Sequence, residues 1–184
     1  MRPPVVREEI EIPENVDAKL ENNELIIKGP LGENRRKFMH PKINIKIEDK
    51  KIILETYFPT RREIKLFNTW VSHIENMIKG VIEGFRYRLK IVYTHFPFRV
   101  KVQGDKLIIE NFLGEKSPRI AKILPGAKVK IENDEIIVES HNIEIAGQTA
   151  ANIENACKIK EKDRRKFLDG IWIVEKPYQN LMEM

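Results

Sequence analysis

Apolar and polar residues alternate along most of this chain, and twice the period lengthens to that of a helix. Ile10 and Ile12 alternate with Glu9 and Glu11, and Val16, Ala18 and Leu20 with Asp17 and Lys19. A period of two marks half-buried strands. Asn22-Asn23 separates the second of these from a strand over 25–28, and Gly29-Pro30 and Gly32 punctuate a tight loop after it. Ile43, Ile45 and Ile47 alternate next, and Asp49-Lys50 turns the chain into a strand over 52–56. Phe67, Trp70, Ile74, Met77 and Ile78 then fall three and four apart, an apolar helical stripe expected to end near Gly80. Phe67 and Trp70 lie on that stripe and are read as core.

The second half repeats the plan. Tyr87, Leu89, Ile91 and Tyr93 alternate with Arg86, Arg88 and Lys90, a cationic row expected to face water. Phe98, Val100 and Val102 follow, and Gly104-Asp105 turns into a strand over 107–110. Pro125-Gly126 precedes a strand over 129–132, and Asn133-Asp134 leads into another over 136–140. Ala146, Ala150, Ile153, Ala156 and Cys157 share one face of a second helix. A basic run, the turn Asp169-Gly170, a last strand over 171–175 and a polar tail complete the chain.

The parallel reaches individual residues. Leu25-Ile26-Ile27 returns as Leu107-Ile108-Ile109, Ile52-Ile53-Leu54-Glu55 as Ile136-Ile137-Val138-Glu139, and Ile74-Glu75-Asn76 as Ile153-Glu154-Asn155. The spacing, about 80 residues, is too long for a solenoid and suits a duplicated small domain. The expected fold is α+β: two tandem duplicated modules, 1–82 and 83–184, each an antiparallel-rich sheet with one packed helix.

Charge changes the picture only locally. The 184 residues carry +5, with both signs abundant, so an anionic partner is weakly favoured. Cys157 is the single cysteine, which rules out an internal disulfide or a cysteine metal site and suits a reducing compartment. Met1-Arg2-Pro3-Pro4 opens no apolar run of signal-peptide type, and no stretch approaches about 18 apolar residues. A cytoplasmic protein without membrane contact is expected.

Chemistry concentrates in residues 158–166. Lys158, Lys160, Lys162, Arg164, Arg165 and Lys166 oppose only Glu161 and Asp163, a net +4. Such cations on a fixed connection suit phosphate oxygens, and Trp172, Tyr178 and Gln179 nearby can stack on or hydrogen-bond exposed nucleotides. The competing reading is a solvated charged face. Basic segments around Lys116, Arg119 and Lys122, and around Arg35, Arg36 and Lys37, read as surface loops. The four histidines are scattered, Cys157 falls on a buried face, and neither a phosphate-binding Gly-Lys-Ser/Thr loop nor a Gly-x-Ser-x-Gly elbow is present. No catalytic residue, metal, cofactor or small-molecule substrate is expected.

Two passages carry a resemblance. Residues 25–33, Leu-Ile-Ile-Lys-Gly-Pro-Leu-Gly-Glu, and Gln148 followed by 159–173, Ile-Lys-Glu-Lys-Asp-Arg-Arg-Lys-Phe-Leu-Asp-Gly-Ile-Trp-Ile, resemble signatures of the large-subunit ribosomal protein L-six family, archaeal and eukaryotic type. Trp172 stands where that family usually has Tyr. The resemblance implies an architectural component of the large ribosomal subunit, partnered by its RNA and by neighbouring ribosomal proteins. It implies contacts near the sarcin–ricin loop and the factor-binding region, made mainly by the second module. By position these fall on Lys158, Lys160, Lys162, Arg164, Arg165 and Lys166, with Lys116, Arg119, Lys122, Lys176 and Tyr178 in addition. The alternatives are a non-ribosomal RNA-binding assembly or translation factor, and a protein–protein adaptor.

Overall fold

The computed structural model describes residues 3–180, and the chain divides into two compact units, 1–84 and 85–184. In the first, strands β1 (Val5–Glu11), β6 (Lys51–Tyr57) and β5 (Ile43–Glu48) form one antiparallel sheet with β6 central. Strands β2 (Asp17–Glu21), β3 (Glu24–Gly29) and β4 (Gly32–Lys37) form another around β3. The expected single sheet is thus two: two tight hairpins close β2–β3–β4 on itself, while β5–β6 is a hairpin that β1 joins across the intervening strands. Asn22 and Asn23 adopt φ of 48° and 64°, and Asp49 and Lys50 adopt 49° and 58°. Consecutive left-handed residues match the twist of the flanking strands, and Asn and Asp tolerate that conformation.

Helix α1 (Arg61–Ile82) covers this unit. Its start is set by Thr60, whose backbone N–H donates to the Glu63 carboxylate at 2.7 Å. Hydrogen bonds from the Thr60 side chain and backbone hold that carboxyl near 2. The helix runs past Gly80, the expected stop: Gly80 is buried within it, and Gly84, at φ 76°, ends it instead. The N–H groups of Glu83 and Gly84 both reach the Lys79 carbonyl, the kind of closure a left-handed glycine permits. Phe67, Ile74 and Val81 are fully buried, and Trp70 meets Phe38 edge-on at 5.2 Å.

The second unit has β11 (Lys128–Glu132), β12 (Glu135–Ser140), β7 (Phe85–Val92), β13 (Gly170–Lys176) and β14 (Gln179–Asn180) in that order across one sheet. Strands β10 (Arg119–Lys122), β9 (Lys106–Glu110) and β8 (Arg99–Gln103) make the other, and helix α2 (Ile143–Ala156) packs on both. The last strand lies where a polar tail was expected. Within the cationic row of β7, Arg86 faces water, but Arg88 is only 22% exposed and sits between Glu135 at 3.1 Å and Glu175 at 3.0 Å.

The repeated residues are the two cores. Leu25, Ile27, Ile52, Leu54 and Ile74 are fully buried, and so are Leu107, Ile109, Ile136, Val138 and Ile153. Each contributes roughly 1.5–3 kcal/mol by leaving water, against about 0–1 for an exposed ion pair, so this set specifies the fold. The helices differ. After Ile74, α1 continues to Ile82, whereas α2 stops at Ala156, just beyond Ile153.

Candidate nucleic-acid interface

Between α2 and β13 the chain runs through residues 157–169 without regular secondary structure. Lys158, Lys160, Lys162, Arg164, Arg165 and Lys166 are all exposed along it. Interspersed apolar and acidic residues pin the segment to the module. Ile159 is buried in the core, Phe167 packs against that core, and Asp169 has no exposure. The cations therefore project from a fixed path.

Asp169 makes the strongest pin. Its Oδ1 accepts the Thr94 hydroxyl at 2.6 Å and lies 3.3 Å from His95 Nδ1, while its Oδ2 accepts the His95 backbone N–H at 3.4 Å. Burial pushes the carboxyl up, but the hydrogen bonds from Thr94 and His95 outweigh it and hold the group near 2. The His95 ring stacks on Phe167 at 4.5 Å, and Lys162 Nζ lies 5.0 Å from the centre of the Phe167 ring. A stack of imidazole and phenyl with an ammonium above it thus sets Lys162 in place. Asp163 accepts from the backbone N–H of Arg165 at 2.9 Å and pairs with its guanidinium at 3.2 Å. Those bonds lower the Asp163 carboxyl, yet Arg165 remains 91% exposed, and so exposed a pair is weak.

At the other end the segment meets Arg119. Nε and Nη2 donate to the two Glu115 oxygens at 2.9 and 2.6 Å, and Nη1 donates to the carbonyls of Ala156 and Lys158 at 3.0 and 2.9 Å. The guanidinium also covers the Phe112 ring at 4.5 Å. The hydrogen bond from Arg119 lowers the Glu115 carboxyl, and Glu115 in turn raises Arg119. Beside this pair opens a cleft of about 600 Å³, with Lys158, Lys160 and Lys162 on its rim and Leu113 and Ile159 in its wall. A second cavity of about 210 Å³ runs between Arg164, Leu168 and Trp172.

The remaining expected residues are distributed unevenly. Lys116 is exposed next to Glu115, and Lys122 is exposed at the far end of β10, its carbonyl bonded by Asn152 at 3.1 Å. Lys116 thus adjoins the Glu115–Arg119 pair that meets the segment, and Lys122 lies beside α2. Lys176 and Tyr178 do not join them: they lie at the opposite end of β13, about 20 Å away at the rise of a strand. Tyr178 is 58% exposed and meets Phe85 edge-on at 6.2 Å. Trp172 is near the segment, its indole N–H donating to the Leu168 carbonyl at 3.2 Å. Gln179 pairs through its backbone with Lys176, and its side chain lies outside those described.

Two expectations require correction. Residues 34–37 and 119–122 are strands rather than surface loops, the first within β4 and the second forming β10. Neither shows apolar alternation. In β4 the buried position is taken by Asn34, whose Nδ2 donates to the Met77 carbonyl at 3.2 Å. In β10 the small Ala121 is buried while Ile120 is 55% exposed. Sequence reasoning also passed over Thr94, His95, Glu115 and Asp169. Asp169 reads as part of an exposed turn, and its partners lie 75 and 74 residues away, so no local spacing reveals the latch.

Among the described residues no helix is long and apolar enough to cross a membrane, and no three His, Cys, Asp or Glu side chains gather to hold a metal. Cys157 is buried, and burial pushes its thiol up to about 12. The class is that of duplicated α+β proteins that carry an exposed cationic segment between the second helix and the strand after it. Within that class the chain belongs to the ribosomal protein L6 family, whose profile matches residues 12–84 and again 96–170. It is 54% identical to the large ribosomal subunit protein uL6 of Nanoarchaeum equitans, covering 100% of both chains. Its counterpart in Aeropyrum pernix is 50% identical over 93% of this chain and 94% of that protein. The protein of the same name in Methanobrevibacter smithii is 48% identical over 93% and 96%.

Proposed function

We propose that this chain is a structural constituent of the large ribosomal subunit, working in the cytoplasm, and that its second module grips ribosomal RNA through residues 158–166. The observation that carries this reading is the pinned segment itself: six exposed cations on a path fixed by Ile159, Phe167 and Asp169. Ordering a free backbone costs about 1–2 kcal/mol per residue, and a segment already held in shape avoids much of that on binding. The names of the relatives, full-length at about half identity, point the same way.

Lys158, Lys160, Lys162, Arg164, Arg165 and Lys166 neutralise phosphates and fix RNA helices in register, with selectivity from RNA shape. Lys116 and Lys122 extend the same surface, whereas Lys176 and Tyr178 form a separate contact at the far end of β13. The proposed site on the RNA is near the sarcin–ricin loop and the factor-binding region, with neighbouring ribosomal proteins as further partners, as the family resemblance implies. The role is architectural and involves no turnover.

Binding of the full chain to protein-stripped large-subunit RNA, measured across a salt series, tests the reading. Replacing Arg164, Arg165 and Lys166 together by Ala should flatten the log–log salt dependence by about 0.9 per lost contact on duplex RNA. An unchanged slope would place those three side chains in solvent. Recovery near one copy per purified large subunit separates a constituent from a transient factor.

A further inference from the structure

We propose that Arg119 is a positioning residue of the RNA-binding segment, acting as a remote cap on α2 rather than as a phosphate ligand. The inference rests on the RNA-binding reading above and reassigns one residue that the sequence had placed among the contacts.

Helix α2 ends without a basic residue in its last turn, and a helix end leaves carbonyls to be satisfied. The N–H groups of Cys157 and Lys158 turn back to Glu154 and Asn155 at 3.3 Å, which tightens the end but leaves the Ala156 and Lys158 carbonyls pointing onward. Arg119, arriving from β10, takes both with Nη1. One of those carbonyls is the last of the helix and the other belongs to the first cation of the segment. The direction in which the chain departs toward Lys160 and Lys162 is therefore set by this guanidinium.

The guanidinium has little left for a ligand. Of the five N–H donors an arginine carries, four are committed: one on Nε and one on Nη2 to Glu115, and both on Nη1 to the two carbonyls. Its side chain is 25% exposed and lies over Phe112. Glu115, in contact with it, would repel an incoming phosphate. Glu115 orients the fork, Phe112 supports its plane, and the carbonyls receive it. Lysine, a single ammonium, cannot span four acceptors in those directions.

The test compares Arg119→Ala, Arg119→Lys, Glu115→Ala and the triple Arg164/Arg165/Lys166→Ala variant in the full chain. Affinity for protein-stripped large-subunit RNA is measured across a salt series, together with amide hydrogen exchange of the free protein. Arg119→Ala should weaken binding by about tenfold or more, as expected when charge-assisted hydrogen bonds are lost, and leave the salt slope unchanged. Exchange should rise within 157–169 while β7 and β12 stay protected. Arg119→Lys should fail to rescue. Glu115→Ala should also weaken binding, although it removes a negative charge beside the lysines.

The proposal is overturned if Arg119→Ala lowers the slope by about 0.9, if Arg119→Lys restores affinity, or if Glu115→Ala tightens binding. Any of these marks Arg119 as a direct phosphate ligand. Exchange rising throughout the second unit overturns it too, since that describes a general prop for the fold. An unchanged slope in the triple variant instead removes the RNA-binding reading, whatever Arg119 does.

Discussion

Replacing Asp169 with Asn keeps the size of the side chain and removes the charge that Thr94 and His95 were built to meet. The amide oxygen can still accept the Thr94 hydroxyl, but the amide nitrogen then confronts the His95 backbone N–H, donor against donor. A carboxyl held near 2 instead of 3.8 stabilises the folded state by roughly 2 kcal/mol at neutral pH, at about 1.36 kcal/mol per pH unit. The side chain is fully buried, so solvent screening takes little from that figure. For a unit of this size, 85–184, about 1 kcal/mol moves the midpoint by roughly 4–8 °C, so the Asn variant should melt about 10 °C earlier at pH 7. Each unit holds one tryptophan, Trp70 and Trp172, and a Trp70→Phe background lets fluorescence report the second unit alone. The sign of the pH dependence follows from the depressed carboxyl. Its stabilisation is complete above about pH 4, the unfolded value, and is lost as pH falls toward 2. The gap between parent and Asn variant should close over that window. A midpoint shift under about 2 °C at pH 7, or a gap that stays constant down to pH 2, would refute the latch.

Gly29→Ala should destabilise the first unit by about 1–3 kcal/mol. A Cβ there would sit 2.7 Å from Val81 Cγ2 and 2.9 Å from the Val81 carbonyl oxygen, and backbone cannot step aside. A thermal midpoint equal to that of the parent would show that the helix end yields freely. Cys157, buried with its thiol near 12, should resist alkylation at pH 8 in the native protein and react at once in denaturant, because the thiolate is the reactive form. Labelling of native protein within minutes would contradict that burial.

The fold was legible because each echo in the sequence is a piece of core. Leu25 and Leu107, or Ile74 and Ile153, occupy equivalent buried positions, and burial is what apolar periodicity records. Strand β4 and strand β10 escaped because Asn34 and Ala121 hold their inward positions. A hydrogen-bonded amide and a single methyl leave no apolar trace. The basic segment was visible as composition, but its shape was not. Asp169 finds Thr94 and His95, and Arg119 finds Ala156 and Lys158, across long sequence separations. Glycine 29 shows the same limit in miniature. Its sequence context suggests a turn requirement, while the structure traces it to the close approach of Val81.

The early stop of α2 has one more consequence. Had it matched α1 beyond the shared Ile-Glu-Asn, about five further residues, 157–161, would have extended the rod by roughly 7 Å and drawn Lys158 and Lys160 into its last turn. Stopping at Ala156 leaves that length as part of an open strap along which all six cations are exposed. The twin module, with its longer rod, has no such strap between its helix and the next strand. Duplication thus supplied a spare frame on which one copy could give up helical regularity for a concentrated field while the other kept it.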